Sequence, residues 1–251
     1  MSVLSFGSGT LVGVRTDVAN ATPVKFGALQ DVSVEFSASI KELYGGSQFP
    51  IAVARGTGKI NCKAKLGQIQ GGVFSDLFFG ASQASGQLAF IHDEAGAVPA
   101  ASTYTVTVAN SATWVEDLGV INAATGLPMK KVASAPAAGQ YSVAAGVYTF
   151  AAADANAAVL ISYTYTIPAS GQKLVVANQA LGIQPVFSVY LKTNYTAPNG
   201  VKYSYLKLNA CVSNKLTIPT KLEDFTIMEL DFSAFADNAG NILTFCMNEV
   251  S

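Results

Sequence analysis

The segment Asp31-Val-Ser-Val-Glu-Phe-Ser-Ala-Ser-Ile40 alternates without a break. Val32, Val34, Phe36, Ala38 and Ile40 fall on one side, and Ser33, Glu35, Ser37 and Ser39 on the other. Successive side chains of a strand point to opposite faces, so this period of two demands a half-buried strand and excludes a helix. Strand patterns recur at Leu11–Arg15, Val24–Phe26, Gln87–His92, Tyr104–Val108, Trp114–Val120, Gln140–Phe150 and Val159–Ile167, and again at Lys173–Ala177, Pro185–Tyr195, Val201–Val212, Phe225–Phe235 and Ile242–Met247. Pro50–Arg55 and Lys59–Lys65 read as a further pair joined by a turn at Gly56-Thr57-Gly58, with Cys62 on the apolar side as a buried, inert thiol. Gly146 marks a hairpin turn or bulge, and Asn199-Gly200 a hairpin. Ile69–Gly80 is the one convincing helix, because Val73, Phe74, Leu77 and Phe78 form a helical stripe between glycines. The alanine run Ala151–Ala158 is interrupted by Asp154 and Asn156, and is a marginal helix at best. The fold class that follows is mainly β: an antiparallel β-sandwich or partly open barrel with one short flanking helix.

Composition then narrows the function. Half of the 251 residues are hydrophobic and only 12% are charged, with a net charge of −1. So few charges exclude disorder and tight phosphate-driven binding. Three separated cysteines without a Cys-x-x-Cys pair exclude a disulfide framework and the common zinc patterns. Mean hydropathy is +0.35, yet no stretch approaches the roughly 18 consecutive apolar residues of a membrane helix. Met1–Thr10 has neither the basic start nor the apolar run of a signal peptide. An apolar, weakly charged chain that stays out of membranes is expected to hide its surface against copies of itself.

The chain also changes texture partway. Between 96 and 170 only Glu116, Asp117, Lys130, Lys131 and Asp154 are charged, and alanine is enriched. This stretch reads as a small β-module (96–170) inserted into a larger domain made of 1–95 and 171–251. Its borders are the loop-like Glu94–Pro99 and Pro168–Gly171, and Trp114 is expected to pack inside it against Tyr148 or Tyr163.

Motifs of chemistry are sparse. His92 stands beside Asp93 and Glu94, but neighbours on a strand point to opposite faces, so it reads as structural. Gly56-Thr-Gly-Lys59 lacks the spacing of a phosphate loop, and Ser170-Gly-Gln-Lys173 lacks any partner motif. The acid pairs Asp93-Glu94, Glu116-Asp117 and Glu223-Asp224 read as solvated, and the two Asn-x-Thr sequons (Asn20, Asn194) carry no weight without a secretory signal. Arg55, Lys59, Lys63 and Lys65 form the one basic cluster, read as a solvated strand face or a contact to acidic groups of a neighbouring copy ahead of the alternative, a nucleic-acid contact. No catalytic residue, cofactor or metal is expected, and the chain is not expected to be an enzyme.

The stretch Lys41-Glu-Leu-Tyr-Gly-Gly-Ser-Gln-Phe-Pro-Ile-Ala-Val-Ala-Arg-Gly-Thr-Gly-Lys59 resembles the core of tail tube (major tail) proteins of long-tailed bacteriophages. Val73–Gly80, Pro219–Phe225 and Glu229–Asn241 resemble that family's helix and last strands, while Trp114–Gly119 and Ala137–Ser142 resemble sequence of phage virion proteins. The resemblance implies homo-hexameric rings stacked into a tube, the conduit for genome ejection. Shared barrels of about 24 strands, spaced ~4.8 Å and tilted ~45°, would leave a bore of roughly 40 Å. The implied partners are other copies of the chain, a tape-measure protein and transient DNA in the lumen, and other tail proteins at the tube ends, with no membrane. The implied location is the virion tail, after synthesis in the host cytoplasm. Leu43, Tyr44, Phe49, Pro50 and Arg55 are the expected subunit contacts, on an extended loop or arm over Leu43–Pro50 whose apolar side chains need a partner surface. The 96–170 module is expected on the outside, where it cannot obstruct the bore. Two alternatives remain open: a virion decoration or adhesin protein with an immunoglobulin-like module, and a secretion-system tube protein of the same fold.

Overall fold

The computed structural model describes residues 6–197, 200–220 and 222–247. It is mainly β, as the alternation dictates, and divides into two compact units. The first comprises residues 1–82 and 174–251, the second Gln83–Lys173.

In the first unit β1 (Phe6–Arg15), β2 (Val24–Phe26), β3 (Leu29–Tyr44) and β4 (Pro50–Leu66) precede a short helix, α1 (Val73–Phe79). The second unit contains β5 (Gln83–Ala97), β6 (Thr105–Thr107), β7 (Trp114–Asn122), β8 (Lys130–Lys131), β9 (Gln140–Ala144), β10 (Val147–Phe150) and β11 (Ala158–Leu174). The chain then returns to the first unit with β12 (Phe187–Ala197), β13 (Gly200–Thr217), β14 (Met228–Phe235) and β15 (Leu243–Met247).

One sheet builds the first unit, in the order β2-β1-β12-β13-β14-β4-β3, with β15 also paired to β13. Its end strands, β2 and β3, are joined by only Gly27 and Ala28, and Ser8 Oγ of β1 donates to the Leu29 carbonyl at 2.6 Å. A sheet whose two ends are two residues apart must curl on itself, which gives a partly open barrel. Inside it lie Leu11, Phe26, Ala64, Leu66, Phe187, Leu208, Met228, Leu230 and Phe232. Each of the buried Leu, Phe and Met side chains stabilises the unit by about 1.5–3 kcal/mol. α1 adds Val73 and Leu77 to the same core, and Ser213 Oγ donates to the Leu77 carbonyl at 3.0 Å. The helix is wound wider than an α-helix: the Gly80 amide reaches back five residues to the Ser75 carbonyl.

The second unit packs a four-stranded sheet (β6-β10-β9-β8) on a three-stranded one (β5-β11-β7). Tyr141, Tyr148 and Phe150 from one sheet and Val120, Val159, Ile161 and Tyr163 from the other fill its core, with Trp114 packed against them. The β9–β10 hairpin turns through Ala145 and Gly146, both at positive φ (47° and 78°), and a Cβ at Gly146 would meet Ser111 Cα at 2.8 Å. At the centre sits Asp117, whose side chain is 2% exposed. Its carboxylate accepts from Tyr141 (2.8 Å), Tyr148 (3.0 Å) and the Gly119 amide (3.1 Å), and pairs with Lys131 at 3.0 Å. Trp114 Nε1 is buried close to the Tyr148 phenol without hydrogen-bond geometry.

Several sequence expectations are corrected. Pro50–Arg55 and Lys59–Lys65 are one strand rather than two: Gly56 and Thr57 together oppose Ser39, a bulge within the ladder. A Cβ on Gly56 would meet Ser39 Oγ at 2.4 Å, so a larger residue there would turn the Ser39 side chain aside. The second unit begins at Gln83 and ends at Lys173, beyond 96–170, because β5 and β11 carry their pairing through both loop-like borders. Residues 175–177, expected in a strand, lie outside one. Ile69 and Gln70 lie outside the helix, and of the alanine run only Ala152–Asp154 takes a helical turn. Asp117 and Glu94 are not solvated: Glu94 accepts from the Tyr163 phenol and the Ala109 amide. β12 and β13 pair from Phe187 to the Ala197–Gly200 step, while Asn199 of the expected turn lies outside the described residues.

Burial, followed by the adjacent Asp117 charge, raises the pKa of Tyr141 and Tyr148 above their ordinary 10.0. Below pH 10 both phenols are protonated in the folded and the unfolded chain, so their contribution is fully present. As pH rises past 10 the unfolded chain ionises first, and stability is lost. Denaturant midpoints measured from pH 8 to 11.5 should fall above pH 10, with a smaller fall in Tyr141→Phe/Tyr148→Phe. Burial likewise pushes the Cys62 thiol up to about 12 and raises that of Cys211, while Cys246 is exposed. A thiol reagent at pH 8 should therefore modify Cys246 quickly and the other two only after denaturation, as peptide mass mapping would read.

Candidate functional site

The hairpin of β3 and β4 is longer than the barrel it belongs to. β14 covers β4 only from Ile60 to Leu66. Beyond that point, among the described residues, β3 and β4 pair solely with each other, out to Tyr44 and Pro50. From Phe36 to Tyr44 this arm runs about 27 Å at ~3.4 Å per residue. The buried side chains of the hairpin are Cys62, Ala64 and Leu66, all at its base.

Cross-strand partners share a face, so the register fixes what the arm presents. Phe36 pairs with Ile60, Ile40 with Arg55 and Glu42 with Val53, continuing the face that is buried at the base. Leu43 pairs with Ala52, and Lys41 with Ala54, on the reverse. Phe36, Ile40, Val53 and Ile51 are all more than half exposed. The apolar stripe thus runs out of the core into solvent, interrupted on the arm by Arg55 and Glu42.

Leu43 and Tyr44, two of the expected contact residues, end β3, and Pro50 begins β4. The extended loop expected over Leu43–Pro50 is therefore shorter, only residues 45–49. Leu43 is 59% exposed and Phe49 76%, Arg55 is exposed beside Ile40, and Pro50 is half-buried against Tyr44. The Tyr44 phenol donates to Glu42, which raises its pKa. All five residues lie on one arm. The sequence reading missed the arm's length, because it took Gly56-Thr57-Gly58 for a turn. The signal was present: glycine between two alternating runs also marks a bulge.

Further exposed apolar residues lie outside the arm in the same unit: Val175, Leu181, Ile183, Leu222 and Phe225. The segments 175–183 and 222–225 therefore add to the exposed apolar surface.

The other candidates were chemical. His92 and Asp93 do not point to opposite faces, as expected of strand neighbours, because Asp93 has a φ of +59°. Ser162 Oγ lies 3.2 Å from His92 Nδ1 and accepts the Asp93 amide at 3.1 Å, and His92 Nε2 lies 3.1 Å from Asp93 Oδ2. His92 and Ser162 line a cleft of about 410 Å³ with Phe90, Leu118 and Met129. Ser162 Oγ is thus held by backbone, and the nearby Gly119 amide is committed to Asp117, so neither amide is free to donate to an oxyanion. The cluster ties β5 to β11. Gly56–Lys59 lies within β4 and Ser170–Lys173 within β11, neither preceding a helix. Lys63 pairs with Glu229 at 2.9 Å and Lys65 with Asp31 at 3.7 Å, which places both on the polar sheet face.

Among the described residues, no three His, Cys, Asp or Glu side chains converge as a metal site, and no helix is long and apolar enough to cross a membrane. Comparison with protein-family models and with curated proteins returns no match.

Because the arm's outer half contributes nothing to the core, replacing residues 39–57 by Asn-Gly should shift the unfolding free energy by no more than about 1 kcal/mol. Urea denaturation of the trimmed chain checks this. A loss of several kcal/mol would mean the arm supports the barrel.

Proposed function

We propose that this chain is a structural virion protein, a tail tube subunit whose homo-hexameric rings stack into the conduit for genome ejection. The observation that carries the reading is the exposed arm of β3 and β4. A two-stranded hairpin is marginal in water by itself, and this one displays Phe36, Ile40, Leu43, Phe49, Ile51 and Val53 to solvent. A second copy of the chain supplies the missing cover. Leu43, Tyr44, Phe49, Pro50 and Arg55 are the contacts we assign to the neighbouring subunit.

The low charge of the chain supports the same reading, since ring and stack interfaces bury surface that a monomer would have to solvate. The partners are then copies of the chain, a tape-measure protein and passing DNA in the lumen, and tail proteins at the two ends. The role is mechanical, with no catalytic residue and no cofactor. The unit formed by Gln83–Lys173 belongs outside the tube, since copies of about 90 residues would crowd a bore of roughly 40 Å.

Tyr44→Ser combined with Phe49→Ser should abolish assembly while far-ultraviolet circular dichroism stays that of a β-rich chain. Light scattering over a concentration series, with negative-stain microscopy, reads the result. Tubes or six-fold rings from the unaltered chain and none from the variant support the proposal. An unaltered chain that stays monomeric at high concentration refutes it and favours the adhesin alternative.

A further inference from the structure

Charge is distributed unevenly around the barrel. β3, β4 and β14 carry five acids (Asp31, Glu35, Glu42, Glu229, Asp231) and five cations (Lys41, Arg55, Lys59, Lys63, Lys65). The strands β2, β1, β12, β13 and β15 carry Arg15, Lys25, Lys192, Lys202, Lys207 and Lys215 and not one Asp or Glu. Arg15 is spent on Asp17 at 2.7 Å, and Lys215 lies opposite Asp231.

Register places the remaining groups. Leu11, Val189 and Leu208 face the core, so their sequence neighbours face outward. One outward row across the sheet is Lys25, Val12, Tyr190, Lys207 and Thr244, and the next is Thr10, Lys192, Tyr205 and Cys246. Tyr203, beside Asn194, follows in a third. Lysine and tyrosine therefore alternate in both directions. Lys192 Nζ sits 4.4 Å over the Tyr203 ring and Lys207 Nζ 5.5 Å over that of Tyr190. Tyr190 and Tyr205 have ring centroids 6.3 Å apart. Asp17 and Asp237 line the cleft of about 500 Å³ that Tyr190 and Lys207 also line. Both are occupied, Asp17 by Arg15 and Asp237 by Asn209 and the amides of its own turn.

We infer that this outward face of β2, β1, β12, β13 and β15 binds the phosphate backbone of a single-stranded nucleic acid, with Lys25, Lys192 and Lys207 on phosphates and Tyr205 stacking a base. The partner must be anionic, since three lysines gather there with no carboxylate between them. The tyrosines favour a nucleic acid over an acidic polypeptide, because cations interleaved with aromatic rings serve a strand of phosphates and flat bases. Three phosphate contacts give weak binding: the salt slope for a single strand is about −2, a loss of about 15-fold between 50 and 200 mM. That agrees with a chain whose overall charge excludes tight binding. The inference stands whether or not the subunits form a tube.

Fluorescence anisotropy with labelled dT20 tests it, using both the unaltered chain and Tyr44→Ser/Phe49→Ser, so that binding is read independently of assembly. The expected result is salt-sensitive binding to both, weakened at least fivefold by Lys192→Glu/Lys207→Glu. Tyr205→Ala should weaken it and Tyr205→Phe restore it, which a general loss of folding would not allow. No binding at 50 mM salt overturns the inference, as does an affinity indifferent to the lysine reversals. Displacement by poly-glutamate as effective as by unlabelled dT20, with no effect of Tyr205→Ala, also overturns it and assigns the face to an acidic protein segment.

Discussion

The pairing of β3 with β4 is the interaction on which the first unit depends. At its base the pair closes the sheet: β14 docks along β4, β3 follows β2 after two residues, and Cys62, Ala64 and Leu66 enter the core. At its far end the same ladder continues with no neighbour on either side among the described residues. One run of hydrogen bonds thus serves two purposes. It ends the curled sheet, and it holds out an apolar surface that the barrel itself cannot cover. The bulge at Gly56 and Thr57 lies where these two parts meet, and bulges bend and twist the strands that contain them.

The second unit is organised around a buried charge rather than around apolar packing alone. Asp117 is nearly inaccessible, yet two phenols, one amide and Lys131 satisfy it. Taking a carboxylate out of water costs several kcal/mol, and removing one partner of a buried pair is far more damaging than never having had the pair. The network joins β7 to β8, β9 and β10, and so links the two sheets by hydrogen bonds as well as by their side-chain core. Glu94 and Tyr163 make a further tie, within one sheet, between β5 and β11.

These features make self-association the economical reading of the chain. Apolar groups stand on the arm and on the loops at 175–183 and 222–225, while charge is scarce and, on the barrel, segregated. A single copy leaves these surfaces to water. An assembly would cover them without new chemistry.

The sequence by itself determined that the chain is β-rich, since alternation such as that of 31–40 permits nothing else, and it located the arm's apolar residues and the change of texture that accompanies the second unit. Those are properties of a strand and its neighbours along the chain. Tertiary structure decided what depends on residues far apart in sequence. Gly56-Thr57-Gly58 could be a turn or a bulge, and the ladder to Ser39 chose the bulge. Asp117 looks like any surface acid until Tyr141, Tyr148 and Lys131 fold over it. Asp93 could share a face with His92 only through a left-handed backbone that no local pattern announces. The lysines at 25, 192 and 207 form no run in the chain, and become neighbours because β2, β1, β12 and β13 lie side by side at ~4.8 Å spacing, where a distance of 182 residues along the chain shrinks to a few strand widths.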